Sequence, residues 1–201
     1  MNRMNRNDSE KEIAIYEGVR KLIRQNVNLS QVTASEIAQA AGIGKGTLYN
    51  YFSTKDEIIA RTVFYLIDQH LAQIQACMEC QKHFEDKCRA ALDFIRVQAN
   101  QRDSQLHLML MGIDGGQVAP FLRQGMERMR ATMQEVERIV LMLAETGVAE
   151  GVIVRQESGY TVQVFLSALM GYCRCLCGPR KETDGVMAAQ RAYQILVKAL
   201  N

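Results

Sequence analysis

Two groups of residues in this chain have types and spacings suited to chemistry. The first is Lys45, Thr47, Tyr49 and Asn50, four hydrogen-bonding side chains interleaved with Gly44, Gly46 and the apolar Leu48, with Phe52 following. On a short helix that buries Leu48 and Phe52, the four present donors for phosphates and for base edges in a DNA major groove, which admits one helix at a time. The second group is cysteine. Cys77 and Cys80 form C-x-x-C, His83 and Cys88 follow, and Cys173, Cys175 and Cys177 alternate along one segment. Thiolates so grouped bind Zn²⁺ or another soft metal, or sense oxidants and electrophiles. Buried, inert thiols are the competing reading. A C-x-x-C inside a continuing helix lacks the knuckle of a zinc site, and helical alternation turns Cys175 away from its two neighbours.

Other chemistries find no support. The chain has no Ser/His/Asp order, no P-loop and no dinucleotide-binding glycine pattern. No strand precedes Cys77 to set a dithiol at a helix N-terminus, where the dipole lowers a thiol pKa. The sequence therefore predicts neither an enzyme nor a catalytic residue, and no cofactor or resident metal.

Residues 9–26 carry Ile13, Tyr16, Val19, Leu22 and Ile23 at helical spacing, predicting one amphipathic helix that the polar stretch Asn26–Ser30 interrupts. Thr33-Ala-Ser-Glu36 reads as a capping box that opens a short helix. Gly42 closes that helix by taking the left-handed conformation. Ala38, Gly42 and Leu48 then stand where a helix-turn-helix needs a small crossing residue, a turn glycine and an apolar anchor. Ser53-Thr-Lys-Asp56 repeats the capping logic ahead of a long helix with Ile59, Val63, Leu66, Ile67, His70 and Ile74 on one face.

Further helices are predicted at about 84–100, 119–146, 158–177 and 185–200. In the second of these, Leu122, Met126, Met129, Met133, Val136, Val140 and Leu143 recur as a packed seam. No period-two run occurs. The expected fold is all-α: a three-helix DNA-binding domain over residues 1–55 and a helical effector-binding and dimerisation domain over 56–201.

Composition agrees with this. The 201 residues suffice for a substantial core, and 48% hydrophobic with 23% charged residues is ordinary for a globular protein. Pro120 and Pro179 are the only prolines, so long helices meet few obstacles. The N-terminus MNRMNRNDSEKE lacks a secretory apolar stretch, and the longest uncharged run, 158–173, is too short and polar for a bilayer. A cytoplasmic location, no membrane partner and reduced cysteines are expected. The net charge of +2 is uneven: residues 1–55 hold eight Lys/Arg against five Asp/Glu, whereas 56–201 hold sixteen against seventeen.

The run IAQAAGIGKGTLYNYFSTKDEI resembles the signature of the TetR family of bacterial transcriptional regulators, G-[VI]-x-x-[GP]-T-[LIF]-Y-x-[YH]-F followed by a lysine that opens the next helix. The resemblance covers about 45 N-terminal residues; the remainder is similar in length and helix order. One departure lies before the capping box, where the family often has glycine and this chain has Asn26 and Asn28, which tolerate the same left-handed geometry.

The resemblance implies a repressor that binds a palindromic double-stranded operator as a homodimer and is released by a small, apolar effector. A variant of this role has thiol oxidation or soft-metal binding at the cysteines as the trigger. On the family pattern Lys45 reads a base edge such as guanine O6/N7, and Gly46 leaves room for a thymine methyl or the backbone. Thr47, Tyr49 and Tyr51 hold phosphates, Asn50 points at the groove, and Ser35 lies near the start of the supporting helix where contacting side chains are common. Lys55 meets a phosphate beside the free amides of its helix N-terminus. Thr33 and Gly44 complete the DNA-contacting set.

Because one such unit covers few base pairs, dimers read paired half-sites. The implied dimer surface is Val162, Phe165, Leu166, Leu169, Met170 and Cys173 with Ala189, Tyr193, Leu196 and Val197; burial of both faces within one chain is the alternative. The implied ligand pocket uses Met109, Met111, Met126, Met129 and Met133 with Phe64, His70, Phe94, Gln98, His107 and Phe165. Methionines make adaptable walls, although at helical spacing they also fill cores. His70 and His107 either orient a polar end of a ligand or are ordinary hydrogen-bonded histidines.

Overall fold

A computed structural model of the chain describes residues 9–25, 27–99, 126–177 and 184–201, without the side chains of Met126 and Cys177. His107, Met109 and Met111 lie outside these residues, as does the side chain of Met126. Among the described residues there are eight helices and no strand: α1 (Glu10–Arg24), α2 (Ala34–Ala40), α3 (Lys45–Tyr49), α4 (Lys55–Glu79), α5 (Phe84–Ala99), α6 (Met126–Ala149), α7 (Ser158–Cys177) and α8 (Gly185–Ala199). The fold is all-α, as the periodicity predicts.

Local chemistry starts these helices. Ser9 with Glu12 and Thr33 with Glu36 each form a reciprocal capping box at α1 and α2. At α4 the cap lies one residue beyond the predicted Ser53/Asp56 pair: the Glu57 amide donates to Thr54 Oγ1 (3.1 Å), and the Ser53 amide donates to the Glu57 carboxylate (2.8 Å). With the helix opening at Lys55, Glu57 occupies the third position, from which a carboxylate reaches back to the preceding amides. The α5 N-terminus is closed from a distance, by the Phe84 amide donating to the Glu150 carboxylate at 3.0 Å.

The chain forms two compact units whose boundary falls inside α4, between His70 and Leu71. In described residues the first comprises 9–25, 27–70 and 126–130, the second 71–99, 131–177 and 184–201. The first compact unit thus runs past residue 55, because the early turns of α4 bury Ile58, Ile59, Val63, Phe64, Leu66 and Ile67. Tyr65 stacks on Tyr16 of α1 with ring centroids 5.0 Å apart. Arg61 lies over the Phe52 ring and pairs with Glu57 and, at 3.5 Å, with Glu12.

The second unit is built around Phe84, Cys88, Ile139, Leu143, Phe165 and Leu196. Tyr172 is buried, and its hydroxyl donates to the Leu92 carbonyl at 3.1 Å, joining α7 to α5. After α6 the chain turns at Gly151 (φ 68), and the Val154 amide donates to the Leu200 carbonyl, fastening the end of α8. On α6 the predicted seam is only partly a core stripe: Leu143 is buried, Met129, Val136 and Val140 are half-buried and Met133 is exposed, while the buried Thr132 and Ile139 lie outside the predicted seam. Among the described residues no helix is long and apolar enough to cross a membrane.

Candidate nucleic-acid interface

The α2–α3 unit is held by contacts that leave one face of α3 uncovered. Thr33 Oγ1 accepts from the Glu36 amide (3.2 Å), and the Glu36 carboxylate accepts from the Thr33 amide (2.7 Å). Donation from the Thr33 amide, with the Thr33 hydroxyl adding a second bond, holds the Glu36 carboxyl below its usual range. At the far end Gly42 takes φ 69, and the Ile43 amide donates to the Ala38 carbonyl at 3.0 Å, closing α2 as its sequence predicts.

Behind α2 lies Gly18 of α1, which the sequence reading passed over. A β-carbon there would stand 2.7 Å from the Ala41 backbone nitrogen, so α1 approaches the C-terminus of α2 only because residue 18 has no side chain. The available signal was a glycine inside an otherwise amphipathic helix, where it costs about 1 kcal/mol against alanine and so points to a packing reason.

On α3, Leu48 is fully buried and Phe52 beyond it is 2% exposed, anchoring the short helix. Lys45, Gly46, Tyr49 and Asn50 are exposed, with Thr47 and Tyr51 half-buried beside them. The α3 surface therefore brings together a cation, an amide and a phenol. Gly44 forms the N-cap in an extended conformation, and Thr33 and Ser35 are exposed at the start of α2. Among the described residues nothing lies within 4 Å of where a β-carbon on Gly46 would be, so no contact among them requires glycine at this position.

Lys55 has a partner within the chain: its ammonium donates to the Ser30 carbonyl at 2.9 Å. That carbonyl belongs to a loop ordered by Asn28, whose Oδ1 accepts from the Ser30 amide (3.0 Å) and hydroxyl (2.7 Å). An ammonium has three donors, so this bond leaves further N–H groups of Lys55 for an anion. Asn26 lies outside the described residues.

The second unit contains a cavity of about 130 Å³ with walls from α4, α5, α6, α7 and α8. Of the residues assigned to a pocket from sequence, Phe165 lines it. Leu166, Leu169, Tyr193 and Leu196, assigned to a dimer surface, line it as well. Phe94 and Gln98 are half-buried on α5 outside its wall, and Phe64 and His70 are buried in the first unit. Met129 is half-buried on α6. Among the remaining dimer candidates Cys173 is buried, Val162, Ala189 and Val197 are half-buried, and Met170 is exposed. The large apolar side chains turned outward from these two helices are Tyr160, Met170, Val186, Met187 and Ile195.

None of Cys77, Cys80, Cys88, Cys173 and Cys175 is in a disulfide. Burial, reinforced by Glu85, pushes the Cys88 thiol up to about 12, so it stays protonated at neutral pH. Cys80 is exposed, Cys77 and Cys175 are half-buried, and no group of His, Cys, Asp and Glu suited to a metal ion occurs among the described residues.

The sequence pattern of bacterial regulatory proteins of the tetR family matches residues 20–62, from the last turn of α1 through α2 and α3 to the first turns of α4. No curated protein matches the sequence. Among solved structures, a TetR transcription regulator from Haloarcula marismortui is similar at 19% identity and TM-score 0.75, over 96% of this chain and 100% of that one. The fatty acid degradation regulator FadR from Bacillus halodurans gives 15% and 0.72, over 96% and 97%. The transcriptional regulator FadR from Bacillus subtilis, solved in complex with stearoyl-CoA, gives 17% and 0.70, over 94% and 99%. These likenesses extend a common fold over nearly the whole chain. Residues 20–62 thus carry the signature of bacterial regulatory proteins of the tetR family, set in a fold shared with these solved regulators.

Proposed function

We propose that this regulator is a repressor that binds a palindromic operator as a homodimer and releases it when a small apolar ligand occupies the second unit. The observation that carries the DNA-binding part is the contrast within α3: Leu48 and Phe52 are buried, while Lys45, Gly46, Tyr49 and Asn50 are exposed around a glycine that no internal contact requires. Residues 1–55 form the DNA-binding domain in this reading. Lys45 and Asn50 read base edges, and Thr33, Ser35, Thr47, Tyr49, Tyr51 and Lys55 position the backbone. Gly44 and Gly46 admit the duplex closely.

The two copies meet through α7 and α8, where the outward Tyr160, Met170, Met187 and Ile195 supply apolar area and Gly171, with open space around it, permits close approach. Release runs through α4. This single helix begins three residues after Phe52 and supplies Leu71, Ile74 and Met78 to the cavity wall. A ligand shifts DNA affinity only if it binds the two shapes of the protein unequally. The relatives named for fatty acid degradation, one of them complexed with stearoyl-CoA, support an apolar effector.

Fluorescence anisotropy on DNA from the protein's own upstream region tests the scheme. Lys45→Ala is expected to weaken binding roughly tenfold or more and to relax selectivity at one base pair in each half-site. Equal affinity of wild type and variant for that DNA would overturn the assignment of α3.

A further inference from the structure

Resting on the reading of this chain as a ligand-relieved repressor, we propose that its cavity takes an uncharged, hydrocarbon-like molecule about the size of benzene or toluene rather than a long acyl chain or a charged amphiphile. Size is the first argument. The cavity measures about 130 Å³, and a void of about 150 Å³ walled by Leu, Ile and Phe accepts benzene. A long acyl chain exceeds that volume and would have to extend beyond these walls.

The wall is the second argument. Among the described residues it consists of Leu, Ile, Val, Met, Phe and Ala, with Cys88 and Tyr193 as the only ones carrying a thiol or hydroxyl. No Lys, Arg, His, Asp or Glu lines it among the described residues. A carboxylate or phosphate drawn into it would lose water and gain no counter-charge, whereas a neutral hydrocarbon loses nothing. Burial keeps the Cys88 thiol protonated well above its ordinary range, which agrees with a site that water solvates poorly.

The third argument is how the space arises. Ala91 of α5, Ala168 of α7 and Ala192 of α8 all line it, so three of its walls end in a single methyl group. An unfilled void forfeits dispersion contacts and costs stability, so three short side chains facing one space are accounted for by something that occupies it. Met78, on the α4 side, adapts to ligand shape.

The test uses the full chain and two probes. Toluene added to the protein is expected to raise Tm by about 2–4 °C and to give a saturable heat of binding, while palmitate gives neither. Ala91→Leu is expected to weaken toluene binding at least tenfold without lowering Tm. Ala168→Leu fills the same space from another helix, should the first variant fold poorly. A palmitate shift in place of a toluene shift, or no response to either probe, overturns the proposal. Operator titration in parallel separates the two readings: toluene that binds but leaves DNA affinity unchanged upholds the cavity assignment and sinks the relief scheme.

Discussion

Gly18 of α1 and Ala41 at the end of α2 are packed so closely that a β-carbon on Gly18 would lie 2.7 Å from the Ala41 nitrogen and 2.9 Å from its Cα. The obstructing atoms are backbone, which cannot step aside as a flexible side chain does. Gly18→Ala therefore pushes α2 away from α1. The gain in helix propensity, about 1 kcal/mol, is outweighed by overpacking, which costs about 1–3 kcal/mol or more. A lower Tm accompanied by weaker operator binding is expected. A variant as stable as wild type would show that the contact is looser than described.

Gly46→Ala is expected to separate stability from binding. Space around residue 46 is open within the protomer, so alanine should stabilise α3 by about 0.5–1 kcal/mol. On DNA the added methyl meets the duplex, and affinity falls by about tenfold. Thermal melting and anisotropy on one preparation decide the matter; unchanged affinity would remove the argument that this glycine serves the groove.

Thr132 of α6 is 4% exposed, and its hydroxyl oxygen has no hydrogen-bond partner among the described residues. A buried unsatisfied hydroxyl costs about 1–3 kcal/mol, and valine has nearly the same shape. Thr132→Val is expected to raise Tm by about 2–4 °C or more. A fall in Tm would mean that the hydroxyl contributes an interaction absent from this conformation.

Alkaline pH should weaken the fold. Burial raises Cys88 from 9.0 to about 12 and Tyr172 from 10.0 to about 12. The folded chain thus holds both protons more tightly than the unfolded chain. Their contribution is fully present below pH 9.0 and is lost progressively as the pH rises toward about 12. Denaturant midpoints measured across that range should fall, and Tyr172→Phe should flatten the decline. A midpoint independent of pH above 9.0 would contradict the burial of both groups.

Thiol labelling follows from the same burial. Iodoacetamide at neutral pH, read by mass spectrometry, is expected to modify exposed Cys80 rapidly and to spare Cys88 and Cys173 until the chain unfolds. Rapid native labelling of Cys88 would revive an electrophile-sensing role for it.

How far these features were visible beforehand depends on the range of the interaction. The Thr33/Glu36 box, the Gly42 stop and the anchoring of α3 by Leu48 each involve residues within about a turn of one another, so residue type and spacing specify them. The cap of α4 was misplaced by one residue because Thr54/Glu57 and Ser53/Asp56 offer the same chemistry in adjacent registers. The Lys55 contact with Ser30 joins residues far apart in sequence, and no local pattern announces it.

The chain by itself determined its helices, its caps and the exposed donors of α3, since a period near 3.6 and a run of capping residues constrain the backbone within each segment. Tertiary structure decided what each buried stripe faces. Periodicity marks Phe165, Leu166, Leu169 and Leu196 as one apolar face, but only the packing of five helices set them around a cavity. A hydrophobic stripe reports that water is excluded, and apolar burial is non-directional; which surface excludes the water is a property of the assembled chain.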